Sequence, residues 1–206
     1  MYKKYIKRFI DILLALIGLP FFILIFILLA PIIYFEDKGS VFYYSDRLGR
    51  NGKTFKMYKF RSMKMNAPDL RNADGSTYNA EDDPRVTKIG ALIRKTSLDE
   101  VPQFINVISG DMSFVGPRPD LPTALQDYSS EQKTRLEVRP GITGYSQAYY
   151  RNSVDCYSKW QNDFYYVKNM SLWFDTKILT KTVLLVLKRE KVFIEHADGI
   201  KNTCSQ

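Results

Sequence analysis

Asp99 and Glu100 stand side by side in the run Thr96-Ser97-Leu98-Asp99-Glu100-Val101-Pro102-Gln103, with Arg94 and Lys95 before it and Arg118 after it. Adjacent carboxylates repel, so a nearby cation or metal ion would relieve the pair. A plain structural reading competes with a chemical one. Ser97 and Glu100 have the spacing of a capping box, and acids favour the first turn of a helix. Pro102 fits that start poorly, because it would fall just past the first turn, where a missing N–H begins to cost. A helix starting nearer Asp99 would seat it better.

Three further places offer cations. Thr54-Phe55-Lys56-Met57-Tyr58-Lys59-Phe60-Arg61-Ser62-Met63 alternates apolar and basic residues, the period of a strand with one wet, positive face. Lys59 and Arg61 either decorate a solvated strand or point at phosphate. Arg118 is bracketed by Pro117 and Pro119, so its backbone has little freedom, which suits either a phosphate clamp or a rigid turn. Arg139 precedes Pro140-Gly141-Ile142-Thr143-Gly144, a loop of ordinary connector composition. The two cysteines have no disulfide-framework spacing, which suits a reduced compartment, and His196 is the single histidine. With no His/Cys cluster, a catalytic metal would be oxygen-ligated, such as Mg²⁺.

The elements that must position these groups are partly legible. Val41-Phe42-Tyr43-Tyr44 and the alternating run flank Leu48-Gly49-Arg50-Asn51-Gly52, which predicts a β-hairpin. Residues 66–84 read as a polar loop. Short helices are predicted over 86–94 and 100–109, the second ended by Gly110. Residues 129–138 form a charged helix candidate. Residues 172–189 form another, either packed on the core or lying in a membrane interface. The tail from 196 to 206 reads as disordered.

Residues 12–35 are almost wholly apolar and exceed the ~20 needed to cross a bilayer as helix. No small-residue cleavage site follows, which argues against a secretory signal. Pro20, two residues after Gly18, sits inside the run and should bend it. Lys3, Lys4, Lys7 and Arg8 precede the run; Lys38, Arg47, Arg50, Lys53 and Lys56 follow it. Both flanks are basic, so neither asks to be translocated. A hairpin that enters and leaves on one face satisfies both, and a Pro-bent spanning helix stays open as the alternative. Asp11 is expected to pair with Lys7 or Arg8. The chain of 206 residues carries a formal net charge of +8, which favours anionic partners: nucleic acid, acidic lipid headgroups or phosphorylated substrates.

The ordered set of segments resembles one family, the bacterial sugar transferases, also called monotopic phosphoglycosyl transferases. The matching stretches are Lys7-Arg8-Phe9-Ile10-Asp11-Ile12, Tyr58-Lys59-Phe60-Arg61-Ser62-Met63 and Ser97-Leu98-Asp99-Glu100-Val101-Pro102-Gln103. They continue with Gly110-Asp111-Met112-Ser113-Phe114-Val115-Gly116-Pro117-Arg118-Pro119, Arg139-Pro140-Gly141-Ile142-Thr143-Gly144 and Tyr165-Tyr166-Val167-Lys168-Asn169-Met170-Ser171-Leu172. The chain looks like the minimal, single-domain form of the family.

That resemblance implies transfer of a sugar-1-phosphate from a UDP-sugar to polyprenyl (undecaprenyl) phosphate with release of UMP, the first membrane step of bacterial glycan assembly. It implies an α+β, mainly α fold with a small β-hairpin and interfacial amphipathic helices. Residues 1–36 would form a re-entrant membrane helix broken at Pro20, residues 37–195 a cytosolic catalytic domain lying on the membrane, and residues 196–206 a flexible tail. The membrane would be the bacterial inner membrane, engaged from the cytoplasmic leaflet. By carry-over Asp99 is the nucleophile and Mg²⁺ ligand with Glu100 as the second catalytic carboxylate; Lys59, Arg61, Arg118 and Arg139 are candidate phosphate contacts, and Gln147 is a candidate substrate contact. Nucleic acid is not an implied partner, and the oligomeric state is left open. Two departures stand out: Leu19 precedes Pro20 where relatives often have serine, and Tyr145-Ser146-Gln147-Ala148-Tyr149-Tyr150-Arg151-Asn152 differs from the usual pattern, so sugar specificity could differ there. The competing reading is a membrane-anchored basic binding or scaffold module without catalysis, which needs no acidic dyad.

Overall fold

The computed structural model describes residues 1–70, 78, 83–150 and 156–188. The 196–206 tail, most of the 66–84 loop and the Arg151-Asn152 pair lie outside the described residues.

One long apolar helix, α1 (Lys7–Asp37), organises the rest. By length and composition it is the one described helix able to cross a membrane. It is continuous: Pro20 and Pro31 both lie inside it, and Pro20 does not divide it into two elements. A proline deletes one ladder hydrogen bond, and the remaining bonds of an apolar helix this long hold its neighbours in place. The helix stops where Lys38 turns left-handed, at φ 53°.

Both ends of α1 are fastened to the same globular body. At the start, Lys7 pairs with Asp175 at 2.7 Å, and Arg8 donates to the carbonyls of Val107 and Ile108. Asp11 makes no direct ion pair with Lys7 or Arg8 among the described residues, although the Lys7 charge offsets part of its burial. It accepts from the Ser113 hydroxyl at 2.9 Å and the Phe114 N–H at 3.1 Å, because both nearby cations are already engaged. At the far end, Asp37 forms an ion pair with Arg61 and accepts the Met65 N–H, while Glu36 accepts the Lys88 N–H at 2.7 Å. Between these ends the outer face is bare, with Leu16, Ile17, Phe21, Leu24, Ile27 and Leu28 all exposed.

The inner face of α1 carries two cores. Ala15 packs with Met57, Val107 and Met112. Farther along, Phe22 and Ile33 pack with Phe60 and Ile93, joined by Leu98, Val101, Phe104 and Ile105. Gly18 is required at its place: a Cβ there would lie 2.3 Å from the Phe104 ring.

The expected hairpin forms from β1 (Phe42–Leu48) and β2 (Thr54–Phe60), antiparallel, with Tyr43 opposite Lys59. Asn51 and Gly52 both take positive φ in its turn, as Asn-Gly chemistry favours. Helix α2 (Lys88–Lys95) starts at Thr87, whose hydroxyl accepts the Gly90 N–H, and α3 (Gln103–Ser109) ends at left-handed Gly110. The outer edge of β2 is closed by a fully buried side chain of α3. Asn106 accepts the Tyr58 N–H at 2.9 Å and donates to the Lys56 carbonyl at 2.8 Å. Asn106→Ala would orphan two strand groups, so a loss of roughly 3 kcal/mol is expected in detergent-solubilised denaturation, with Asn106→Asp intermediate.

A second sheet was not legible from the sequence. Strand β3 (Ser113–Val115) pairs in parallel with β4 (Gly141–Thr143). The charged segment after it resolves into the short helix α4 (Ser130–Lys133), whose capping box joins Ser129 and Gln132, and a 3₁₀ turn from Thr134 to Glu137. The last three helices, α5 (Tyr145–Tyr149), α6 (Cys156–Asn169) and α7 (Leu172–Lys188), close a third core around Val115, Ala148, Tyr166, Val167 and Ile178. Helix α7 buries Asp175 and Ile178 and leaves Trp173, Val183, Leu184 and Leu187 exposed, so it has an apolar outer stripe as well as a core face.

Candidate active site

The acidic pair sits in an elbow between α2 and α3. Thr96 closes α2, Ser97 turns left-handed at φ 58°, and Leu98–Glu100 form a single 3₁₀ turn. The capping-box expectation fails here, since the Ser97 side chain caps nothing and α3 starts only after Pro102. Pro102 is the reason: without an N–H it belongs before or at the first helical position. A serine in the left-handed region costs of order 1 kcal/mol, so the elbow is held by its surroundings rather than by local preference. Leu98, Val101, Phe104 and Ile105 supply that hold by packing onto the α1 core.

Three cations converge on the pair. Lys59 reaches from β2 to Glu100 at 2.8 Å and to Asp99 at 3.8 Å. Arg118 stands 3.4 Å from Glu100. Its backbone is pinned as the bracketing prolines suggested: the Gly116 N–H donates to Thr143 and the Arg118 carbonyl accepts from Arg135, itself buried between Asp120 and Asp163. The Arg118 guanidinium is more than half exposed and free to meet a ligand.

The third cation, Arg94, was passed over in the sequence as part of a basic neighbourhood. Its Nε donates to the Ser62 hydroxyl at 2.9 Å, and its Nη1 is buried without a hydrogen-bond partner among the described residues. Its charge bears on Asp99. A buried guanidinium N–H without an acceptor is costly, and a phosphate oxygen would satisfy it. The available signal was position: an arginine in the last turn of α2, just before the elbow. Arg94→Ala is expected to lower kcat/KM by about 10² while leaving the fold intact, with Arg94→Lys recovering little because a point charge cannot replace the planar fork. Steady-state kinetics beside a melting curve would check it.

The two carboxylates are electrically unlike. Burial alone would raise Glu100, but Lys59 and Arg118 outweigh it and hold the carboxyl down at about 2. Burial pushes Asp99 up, Lys59 opposes that, and the neighbouring Glu100 charge adds to the rise. Glu100 is therefore a fixed anion, whereas Asp99 is a more basic carboxylate whose nearest cation, Lys59, stands 3.8 Å away. Among the described residues no group of three or more His, Cys, Asp or Glu side chains gathers to hold a metal. Mg²⁺ fits a weaker demand, since it keeps several waters and is commonly held by one or two carboxylates plus substrate phosphates. Asp99 could supply such a ligand.

Two expected phosphate contacts lie elsewhere. Arg61 is buried at the end of α1, where it pairs with Asp37 and donates to the carbonyls of Ser40, Met63 and Ile33. Lys59, two residues earlier and still within β2, reaches the dyad, whereas Arg61 lies past the strand's end and is taken by Asp37. Arg139 donates to the Gly110 carbonyl at 2.7 Å, at the opposite end of α3 from the dyad. Gln147, on α5 beside Gly144, has both amide heavy atoms buried without hydrogen-bond partners among the described residues.

Residues 2–189 match the model of the family described as "Bacterial sugar transferase". The chain is 43% identical over 189 residues to a galactosyl transferase, CpsE, of Streptococcus agalactiae, covering 88% of this chain and 42% of that protein. It is 40% identical to a UDP-N-acetylgalactosamine-undecaprenyl-phosphate N-acetylgalactosaminephosphotransferase of Aeromonas hydrophila, covering 89% of this chain and 44% of that one. The chain thus spans less than half the length of these two relatives. The exopolysaccharide production protein ExoY of Rhizobium meliloti is matched more fully, at 41% identity over 86% of this chain and 83% of its own. With the family's model matched across nearly the whole chain, and a relative of similar length above 40% identity, this protein belongs to the bacterial sugar transferase family.

Proposed function

We propose that the chain moves a sugar-1-phosphate from a UDP-sugar to polyprenyl phosphate through a covalent intermediate on Asp99. The observation that carries this reading is the convergence of Lys59, Arg94 and Arg118 on an elbow whose two carboxylates are held in different electrical states. A diphosphate needs cations, and a nucleophile needs one carboxylate that is not tied down. Glu100 orders Lys59 and Arg118; Asp99 stays available.

In the first half-reaction an Asp99 carboxylate oxygen attacks the β-phosphorus. The bond from that phosphorus to the bridging oxygen breaks, and UMP leaves with the electron pair. Arg94 and Arg118 take up charge on the phosphoryl oxygens, and Lys59 keeps Glu100 from repelling the incoming anion. In the second, a phosphate oxygen of the polyprenyl phosphate attacks the same phosphorus, and the Asp99 carboxylate is released. Mg²⁺, when bound at Asp99 and the diphosphate, would supply charge neutralisation.

The membrane reading has its own support. A helix about 46 Å long has both ends tied to charged groups of one body and its outer face bare between them. These ties favour a helix that enters and leaves on one side, with Pro20 near its middle and the exposed apolar stripe of α7 in the same interface. That side would be the cytoplasmic leaflet, where nucleotide sugars are found.

The test is UMP release from a panel of UDP-sugars with undecaprenyl phosphate and Mg²⁺. With the correct sugar and no acceptor, a burst of about one UMP per protein is expected, together with labelled sugar-phosphate retained on the protein after denaturation. Release that strictly requires both substrates at once would overturn the covalent reading.

A further inference from the structure

We infer that Arg8, Arg50 and Arg139 form a second anion site, separate from the dyad, that takes the phosphate of an anionic phospholipid headgroup. The three side chains come from α1, the hairpin turn and the segment before β4, and they gather beyond the C-terminal end of α3. A Cβ on Gly110 would lie 3.4 Å from Arg8 Nη2, and the Gly110 carbonyl accepts Arg139 Nε at 2.7 Å. Arg50 joins through its Nε, which donates to the Glu137 carbonyl two residues before Arg139 at 2.9 Å.

Capping explains part of this. Arg8 satisfies the carbonyls of Val107 and Ile108, and cations favour a helix C-terminus. It does not explain why Arg139 and Arg50 engage the protein through Nε alone among the described residues, leaving their paired Nη groups to other acceptors. Two carboxylates oppose the cluster. Asp111 is engaged by the Ser109 hydroxyl at 2.6 Å, and Asp11 is buried against Ser113 and Phe114. Like-charge crowding registers on Arg139, whose guanidinium is pulled down by burial and then by Arg8 and Arg50. A phosphate diester would relieve that crowding and accept forked hydrogen bonds.

Depth selects a lipid as the source. Arg8 is followed directly by Phe9, 68% exposed, and by the bare apolar face that begins at Ile12 and Leu13. The cluster therefore stands at the edge of the apolar belt, where headgroup phosphates lie. This inference rests on α1 being embedded in lipid, and not on the transfer chemistry.

Native mass spectrometry of the full chain in neutral detergent tests it, with phosphatidylglycerol, phosphatidylcholine or inorganic phosphate added in parallel. One phosphatidylglycerol should be retained about fivefold or more over phosphatidylcholine, and inorganic phosphate should not displace it. Arg50→Glu, a surface change, should bring retention to the phosphatidylcholine level, whereas Lys133→Glu, the same charge change on α4, should not. UMP release in that detergent should be unaltered in Arg50→Glu, so failure here leaves the transfer reading standing. Equal retention of both lipids, persistence in Arg50→Glu, an equal drop in Lys133→Glu, or displacement by inorganic phosphate would each overturn the lipid assignment.

Discussion

Asp99→Asn is expected to abolish both turnover and covalent trapping, by at least about 10³-fold, while the protein melts no lower than wild type at neutral pH. The two halves of this result come from one physical fact. Burial raises the Asp99 carboxyl, and the adjacent Glu100 charge adds to the rise that Lys59 only partly offsets. A group with a raised folded-state pKa contributes stability below its unfolded pKa and loses it as pH rises through the folded one. At pH 7 the ionised carboxylate is therefore a burden on the fold, which the neutral amide removes. The melting advantage of the variant should shrink as pH falls and the wild-type carboxyl takes up its proton. The same sign places the acid limb of wild-type activity above the ordinary aspartate range, because the nucleophile must be ionised. Glu100, held at about 2, stays charged throughout and contributes nothing to that limb. A variant that still accumulates labelled sugar-phosphate would remove Asp99 from the nucleophile's role, and one that melts lower than wild type at pH 7 would overturn the raised carboxyl.

The largest stability loss is expected at Asp175, far from the dyad. This carboxylate is buried on α7 and serves three donors from three places: the Lys7 ammonium at 2.7 Å, the Tyr166 hydroxyl at 2.8 Å and the Tyr2 hydroxyl at 2.5 Å. Asp175→Ala would remove the ion-pair partner of a buried ammonium, which typically costs about 3–5 kcal/mol. Asp175→Asn keeps an acceptor and should cost less. Because Tyr2 and Lys7 belong to the N-terminal end of the membrane helix, the alanine variant should also become sensitive to trypsin at Lys3 and Lys4. Denaturation in detergent and a timed digest would check both expectations. A loss under ~1 kcal/mol with unchanged digestion would mean that the helix is anchored by its apolar face alone.

Much of the frame was legible because its signals are local. Alternation and an Asn-Gly turn gave the hairpin, Gly110 ended α3 where expected, and helical spacing found α7. The dyad and Arg118 were legible for the same reason, as short motifs with unusual neighbours. What escaped depends on partners distant in sequence. Asp11 had two cations within one helical turn, yet it bonds a strand some hundred residues away. Arg61 looked like a phosphate contact by strand alternation, yet the end of α1 consumes it. The β3–β4 pair is three residues long in each strand, too short for any period to register. Arg94 was visible as a charge but not as a site, because its meaning lies in one missing acceptor.

The elbow that carries Asp99 has no floor of its own. Leu98, Val101, Phe104 and Ile105 rest on Phe22 and Ile33, which belong to the segment meant for lipid. Trimming that segment to obtain a water-soluble fragment would therefore dissolve the catalytic geometry along with the anchor. Anchor and elbow are thus one packed unit, and a substitution on the inner face of α1 should be felt at Asp99 as well.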